Sequence, residues 1–393
     1  MRRLFLLVAA VVLVDTMFYA AITPLLPQYS SDLDLSKSAA GVLTAAYAAG
    51  TLLGTFPGGW FAARFGVRPT VLTGLTLMSV AGLVFAFAND IAVLDAARFL
   101  QGIGGACSWI GGYAWLISAA PAERRGELIG GALAAAVFGV VLGPVLGGIA
   151  TAIGPEPVFS TAALFGSVLA IWAWRTPAPP PTTFPGWRRV GAAVTVPAIA
   201  AGVWLVGLPA LFSGVINVLA PLRLDEIGAS GVVIGAVFLI SALIEGFITP
   251  SFGRLADRRG RLWPMRIGFA AAAVMSLLLP VPEVVVVLGL CVVLAELTLA
   301  LCWTPAMAFL SDAAERIAVG QWFAFALVNL AWAGGQVAGG SGGGAIADAT
   351  SDVVPFGIAA LLLGLTAAGI AQSRALKSPP AGGTREQYET PAA

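Results

Sequence analysis

Twelve predominantly apolar stretches run through this chain, over about 4–26, 39–61, 70–88, 91–113, 128–151, 158–174, 191–219, 231–252, 265–281, 284–303, 319–347 and 353–373. About 20 such residues in a helix cross the hydrocarbon core of a bilayer. Lipid offers no hydrogen-bond partners, so each stretch must satisfy its own backbone, and helices do so. The runs are continuous rather than alternating, which argues against a β-barrel. The first run follows Arg2 and Arg3 and resembles a secretion leader. Asp15 in its middle and the eleven spans that follow argue for a resident helix instead.

The composition agrees. Of 393 residues, 59% are hydrophobic and 10% charged, against about 25% charged in soluble domains. A net charge of +1 gives no global basic field for nucleic acid. Histidine is absent, which removes His-based zinc sites, Ser–His or Cys–His catalysis and a His proton relay. Cys107, Cys291 and Cys302 lie in apolar stretches and make no disulfide framework. Lys and Arg collect on the cytoplasmic side of membrane proteins. With the N-terminus inside, every basic residue except Lys37, Arg223 and the intramembrane Arg98 falls on that side. Both termini are therefore expected in the cytoplasm.

A Pro-, Thr- and Arg-rich stretch, 176–190, separates six spans (1–175) from six more (191–373). The halves are related. Gly59-x3-Ala63-Arg64-x-Gly66-x-Arg68 aligns with Gly253-x3-Asp257-Arg258-x-Gly260-Arg261 at an offset of 194, which also places Pro27 on Pro221. Gly143, Gly147 and Gly148 fall on Gly335, Gly339 and Gly340 at an offset of 192. Halves of six spans share one orientation, so their symmetry axis runs along the membrane normal. The tail, 374–393, is polar and Pro/Gly-containing, and is expected to be disordered.

Two further motifs stand out. Span 4 carries Arg98-x2-Gln101-Gly102, with Arg98, Gln101, Gly105 and Trp109 on one helical face. An intramembrane Arg must face the interior or a partner, and Asp95 one turn away is a candidate partner. Span 5 carries Gly139-x3-Gly143-Pro144-x2-Gly147-Gly148, where small residues allow close helix approach and Pro144 should kink the helix. Together with the paired loop motif, these resemble the major facilitator superfamily over essentially the whole chain. Within it, the sequence looks like the twelve-span drug:proton antiporters. The resemblance implies a cytoplasmic lock formed by the loop motifs, from which Ala63 departs where an Asp is expected. It also implies a part for Arg98 in proton transfer. The span 5 motif would form a pliable, leak-tight contact with span 8 and points to export.

Ionisable residues inside a membrane are costly and mark functional sites by default. Here they are Asp15, Arg98, Glu245 and Glu296. Asp15 shares a face with Phe18, Tyr19 and Ile22 and can hold a proton, attract a cationic substrate or bond a neighbouring helix. Glu296 lies mid-span with Trp303 on its face, and Glu245 heads a strip with Phe238, Ser241 and Thr249. Span 11 presents Trp322, Phe325, Asn329, Trp332 and Gln336 on one side, which suits either a ligand pocket or interhelical bonding. Asn217 has the same two readings, whereas Tyr47, Tyr113 and Phe138 read more readily as packing.

The fold expected is an all-α membrane protein of twelve helices in two six-helix pseudo-symmetric bundles. The function expected is a secondary transporter, not an enzyme, that exports small amphipathic or cationic compounds by alternating access. Asp15, Arg98, Glu245 and Glu296 would couple proton and substrate; Tyr19, Trp109, Asn217, Asn329, Trp332 and Gln336 would line the cavity. No P-loop is present, so an ion gradient or the substrate's own gradient must drive transport, and protons as the coupling ion are implied by the resemblance. No cofactor or metal is expected. The partners are substrate, protons and the lipid bilayer, with no nucleic acid; the chain is read as a monomer of the plasma or inner membrane. The alternatives are an importer or uniporter of a metabolite and, in a different class, a membrane enzyme or receptor.

Overall fold

In a computed structural model, residues 1–121, 124–181, 191, 195–260, 262–316 and 321–372 are described, excluding the side chains of 125, 250, 256, 257 and 321–324. Among them, helices account for all twelve expected spans. Span 1 is α1 (Arg2–Ala20) and α2 (Ile22–Asp32); spans 2 to 6 are α3 (Lys37–Phe65), α4 (Val67–Phe87), α5 (Ile91–Ala119), α6 (Arg125–Ile153) and α7 (Pro155–Arg175). Spans 7 to 10 are α8 (Pro197–Glu226), α9 (Gly231–Arg259), α10 (Leu262–Leu278) and α11 (Val285–Arg316). Span 11 is α12 (Gln321–Val337), a π-helical turn (Ala338–Gly342) and α13 (Gly343–Ala349); span 12 is α14 (Val353–Gln372).

Local chemistry sets the boundaries. Pro24 lacks the N–H that would reach the carbonyl of Ala20, and the first helix breaks at Ala21. Gly66 (φ +99°) and Gly260 (φ +80°) turn the chain sharply between α3 and α4 and between α9 and α10, where a Cβ would be strained. These are the paired glycines of the repeated loop motif.

The repeat is also visible in packing. Gly139, Gly143 and Gly147 of α6 press against Leu13–Thr16, Met17–Ala20 and Ala21–Pro24 of the first span. Gly335 and Gly339 of span 11 press in the same way against Gly207–Leu211 of α8. The remaining glycine of each set faces the other half: Gly148 meets Val232 of α9, and Gly340 meets Gly41 and Ala45 of α3. The span 5 motif was expected to face span 8, but three of its glycines pack span 1 within their own half. Only Gly148 and the carbonyl of Pro144, which approaches Gly235, reach α9.

The halves therefore meet along two seams, α3 with α12–α13 and α6 with α9. Gly231 against Thr151 and Gly344 against the carbonyl of Lys37 close these seams at the end opposite Met1. Residues 182–190 of the linker, the whole tail 374–393 with its expected disorder, and Arg261 lie outside the described residues, as does the side chain of Asp257.

Candidate substrate and proton site

Helix α1 ends in mid-membrane, and its last-turn carbonyls need partners. Arg98 supplies them: Nη1 donates to the carbonyl of Phe18 at 2.9 Å and Nη2 to that of Tyr19 at 3.1 Å. Nη1 also reaches Gln101 Oε1 at 3.1 Å, and the guanidinium lies 5.0 Å from the centre of the Tyr47 ring. A cation at a helix C-terminus is favoured by the helix dipole. Asp95, offered by its spacing as the partner, does not take that role: Arg98 turns to the α1 carbonyls, and Asp95 Oδ1 is buried without a hydrogen-bond partner among the described residues.

Nearly two turns before the break, Asp15 is 3% exposed. Its Oδ1 accepts from the hydroxyl of Tyr47 and its Oδ2 from Nε1 of Trp109, each at 2.5 Å. Helices α1, α3 and α5 converge here because Gly102 and Gly105 leave α5 bare. A methyl at 105 would collide with Asp15 Oδ1 and the Tyr47 hydroxyl, and one at 102 with the Tyr47 carbonyl. The carboxylate thus has two neutral donors, one per oxygen, and no direct bond to a cation.

Aromatic rings extend from this point to the other half. Tyr19 packs on Tyr47 (5.3 Å between centroids) and edge-on to Trp332 of α12 (5.1 Å). Trp109 stacks on Tyr113 (5.3 Å), which stacks on Phe325 of α12 (5.4 Å). In the second half, Glu296 of α11 and Glu245 of α9 are half-buried and close enough for their charges to act on each other, and the charge of Glu296 also reaches Tyr19.

Other expected members fall elsewhere. Gln336 is buried and donates to Ser213 at 3.3 Å, and Asn217 donates to the same hydroxyl at 3.3 Å. The Gln336 bond bridges α12 and α8, whereas the Asn217 bond stays within α8. Asn329 is half-buried on the α12 face that carries Trp332. Phe18 turns away from the cavity onto Phe159. In the loop motifs, Arg68 donates to the carbonyl of Trp174 at 3.5 Å, Arg259 lies over Trp263 at 4.7 Å, and Arg64 and Arg258 are at helix C-termini. Gly253 has open space around it, and Gly59 is half-buried. Tyr47 is the residue that sequence reasoning undervalued. The available signal was a phenol in the middle of an Ala/Gly-rich span, whose hydroxyl must find a partner.

Comparison with known proteins supports this architecture. The sequence profile of the Major Facilitator Superfamily matches residues 8–316 and 203–391. The chain is 38% identical over 158 residues to a probable vesicular acetylcholine transporter-B of Danio rerio, covering 38% of this chain and 32% of that protein. It is 28% identical over 145 residues to quinolone resistance protein NorA of Staphylococcus aureus, covering 37% of each. It is 25% identical over 171 residues to multidrug resistance protein 2 of Bacillus subtilis, covering 43% of this chain and 42% of that protein. The chain thus spans about a third to two fifths of the length of these relatives. The crystal structure of a D-xylose-proton symporter superposes with a TM-score of 0.74 at 18% identity, covering 94% of this chain and 97% of that one, a likeness of fold. The profile match, the twelve helical spans and this superposition make the chain a multi-pass membrane transporter of the Major Facilitator Superfamily, and not an enzyme.

Proposed function

We propose that this transporter exports small amphipathic or cationic organic compounds in exchange for protons across a plasma or inner membrane, with both termini in the cytoplasm. The observation that carries the reading is Asp15: a buried carboxylate held by two neutral donors beside a wall of aromatic rings. Such rings attract cations over their faces and accept flat apolar groups. One lone pair of each oxygen serves Tyr47 or Trp109, and the other can face a ligand. A proton bound to Asp15 removes the charge that holds a cation, so proton and substrate compete for the same carboxylate. Glu296, with Glu245 near it, provides a second acceptor in the other half. Relatives named for acetylcholine, quinolones and multidrug resistance support this class of cargo.

Alternating access moves one half against the other around a mid-membrane site. With the seams closed opposite Met1, the proposed topology makes this a conformation shut to the outside. The test uses proteoliposomes of known orientation with an imposed pH gradient and an internal pH-sensitive dye. Lipophilic cations such as tetraphenylphosphonium should release protons to the substrate-loaded side. Proton movement driven by sugars or organic acids instead, or substrate uptake with the proton gradient, would overturn the proposal.

A further inference from the structure

Sequence alone put Lys37 and Arg223 on the proposed outer side, apart from every other loop arginine and lysine. In the structure both enter one charged cluster. Lys37 Nζ, from the first half, lies 2.7 and 2.9 Å from the two carboxylate oxygens of Asp352 and 3.4 Å from Oε1 of Glu226, both in the second half. Arg223 holds the other Glu226 oxygen at 3.0 Å. Lys37 and Asp352 keep 29% and 19% of their side-chain exposure, so water screens their bond only in part.

The placement is telling because two of these charges sit at the wrong poles of their helices. Lys37 opens α3, where the positive end of the dipole disfavours a cation, and Glu226 closes α8, where the negative end disfavours an anion. Together each offsets the other's cost; parted, Lys37 is left with it and Glu226 keeps only Arg223 of its own helix. Asp352 stands immediately before α14, a favourable position for an acid. Directly inward, Gly41 meets Gly340 and Gly344 backbone to backbone, so the charged cluster sits on the rim of a closely packed stretch of the seam.

We infer that Lys37, Glu226 and Asp352 form an electrostatic latch that holds this end of the transporter closed and sets how often it opens. The inference rests on alternating access and not on the identity of the cargo or coupling ion, so it stands or falls separately from the export reading. Opening breaks three contacts at once and returns Lys37 and Glu226 to unfavourable helix poles.

The test is a distance measurement by pulsed electron paramagnetic resonance on the full chain in lipid nanodiscs. Spin labels go on the exposed Ser31→Cys and Glu283→Cys, one in each half, with Cys107, Cys291 and Cys302 replaced by Ala. Lys37→Gln should raise the ratio of long to short distances about fivefold, and Asp352→Asn, which removes the same bond from the other side, should do likewise. The exchange Lys37→Asp with Asp352→Lys, made together with Glu226→Gln so that the introduced aspartate faces no native carboxylate, should return the ratio to within about twofold of the single Glu226→Gln variant. Raising salt from about 0.05 to about 0.5 M should shift the parent toward the long distance more than either neutralised variant. Parent-like ratios in both neutralised variants would overturn the latch. So would an exchange that stays open, since that would make the effect steric.

Discussion

Asp15 is best understood through its neighbours. Tyr47 and Trp109 both donate to it, so the pocket is built for an acceptor on each oxygen. Asp15→Asn places an NH2 group against one of those donors and removes the exchangeable proton. The expected outcome is a loss of substrate-driven proton movement by more than about tenfold, with the same elution profile in detergent. Arg98 makes a different kind of contribution. Its planar fork reaches two successive carbonyls, which a lysine cannot do. Arg98→Lys should lower stability by about 1–3 kcal/mol, read as a drop in melting temperature in detergent, by leaving one α1 carbonyl unpaired. Asp15, Arg98, Glu245 and Glu296 were legible in the sequence because charge inside an apolar run is conspicuous. Tyr47 was not, because nothing local to span 2 shows that it faces Asp15 32 positions away.

Helices were easier to read than their ends. Hydropathy reports the thickness of the hydrocarbon, whereas a helix continues as long as its backbone bonds are made. Span 10 was expected to stop at 303, yet α11 continues through Ser311, Asp312 and Glu315 to Arg316. Span 7 was expected from 191, yet α8 starts at Pro197, whose missing N–H suits the first turn. The break at Ala21 lies inside an unbroken apolar run and shows in sequence only as Pro24 and Pro27. Glycine roles divide by what each faces, and this can be measured. Gly335→Ala places a methyl against the Gly207 carbonyl and Ala210, and should cost about 1–3 kcal/mol. Gly364→Ala has open space, and should be neutral or stabilising by up to about 1 kcal/mol through helix propensity. Equal melting temperatures for the two variants would refute the packing account of the repeat.

Taken whole, the molecule is two similar bundles, and each repeated glycine set sends one member toward the other bundle. Gly148 and Gly340 point across the seams while the rest of each glycine set binds its own bundle. The repeat offset of 192 therefore predicts a pair of functionally equivalent positions, one on each seam. Gly235→Val, which pushes on the Pro144 carbonyl 2.9 Å from the added Cβ, should wedge the α6–α9 seam. Thiol reagents should then reach a cysteine placed at Thr151 several times faster than in the parent. An unchanged labelling rate would mean that this seam does not separate during transport.

The π-helical turn Ala338–Gly342 has a further meaning for span 11. An α-helix advances about 100° per residue, and a wider turn accommodates one residue more than the regular repeat. The turn acts as a phase shifter within one rod, letting the aromatic side of α12 and the bare side of α13 address the same neighbouring bundle. Deleting a single residue there should let the turn close to a regular α-helix with Gly344 still facing Gly41, whereas the same deletion within α12 would turn Gly344 away by about 100°. A length change of one would thus be absorbed at the turn and damaging in the helix before it, where the protein keeps time by counting residues rather than by choosing them.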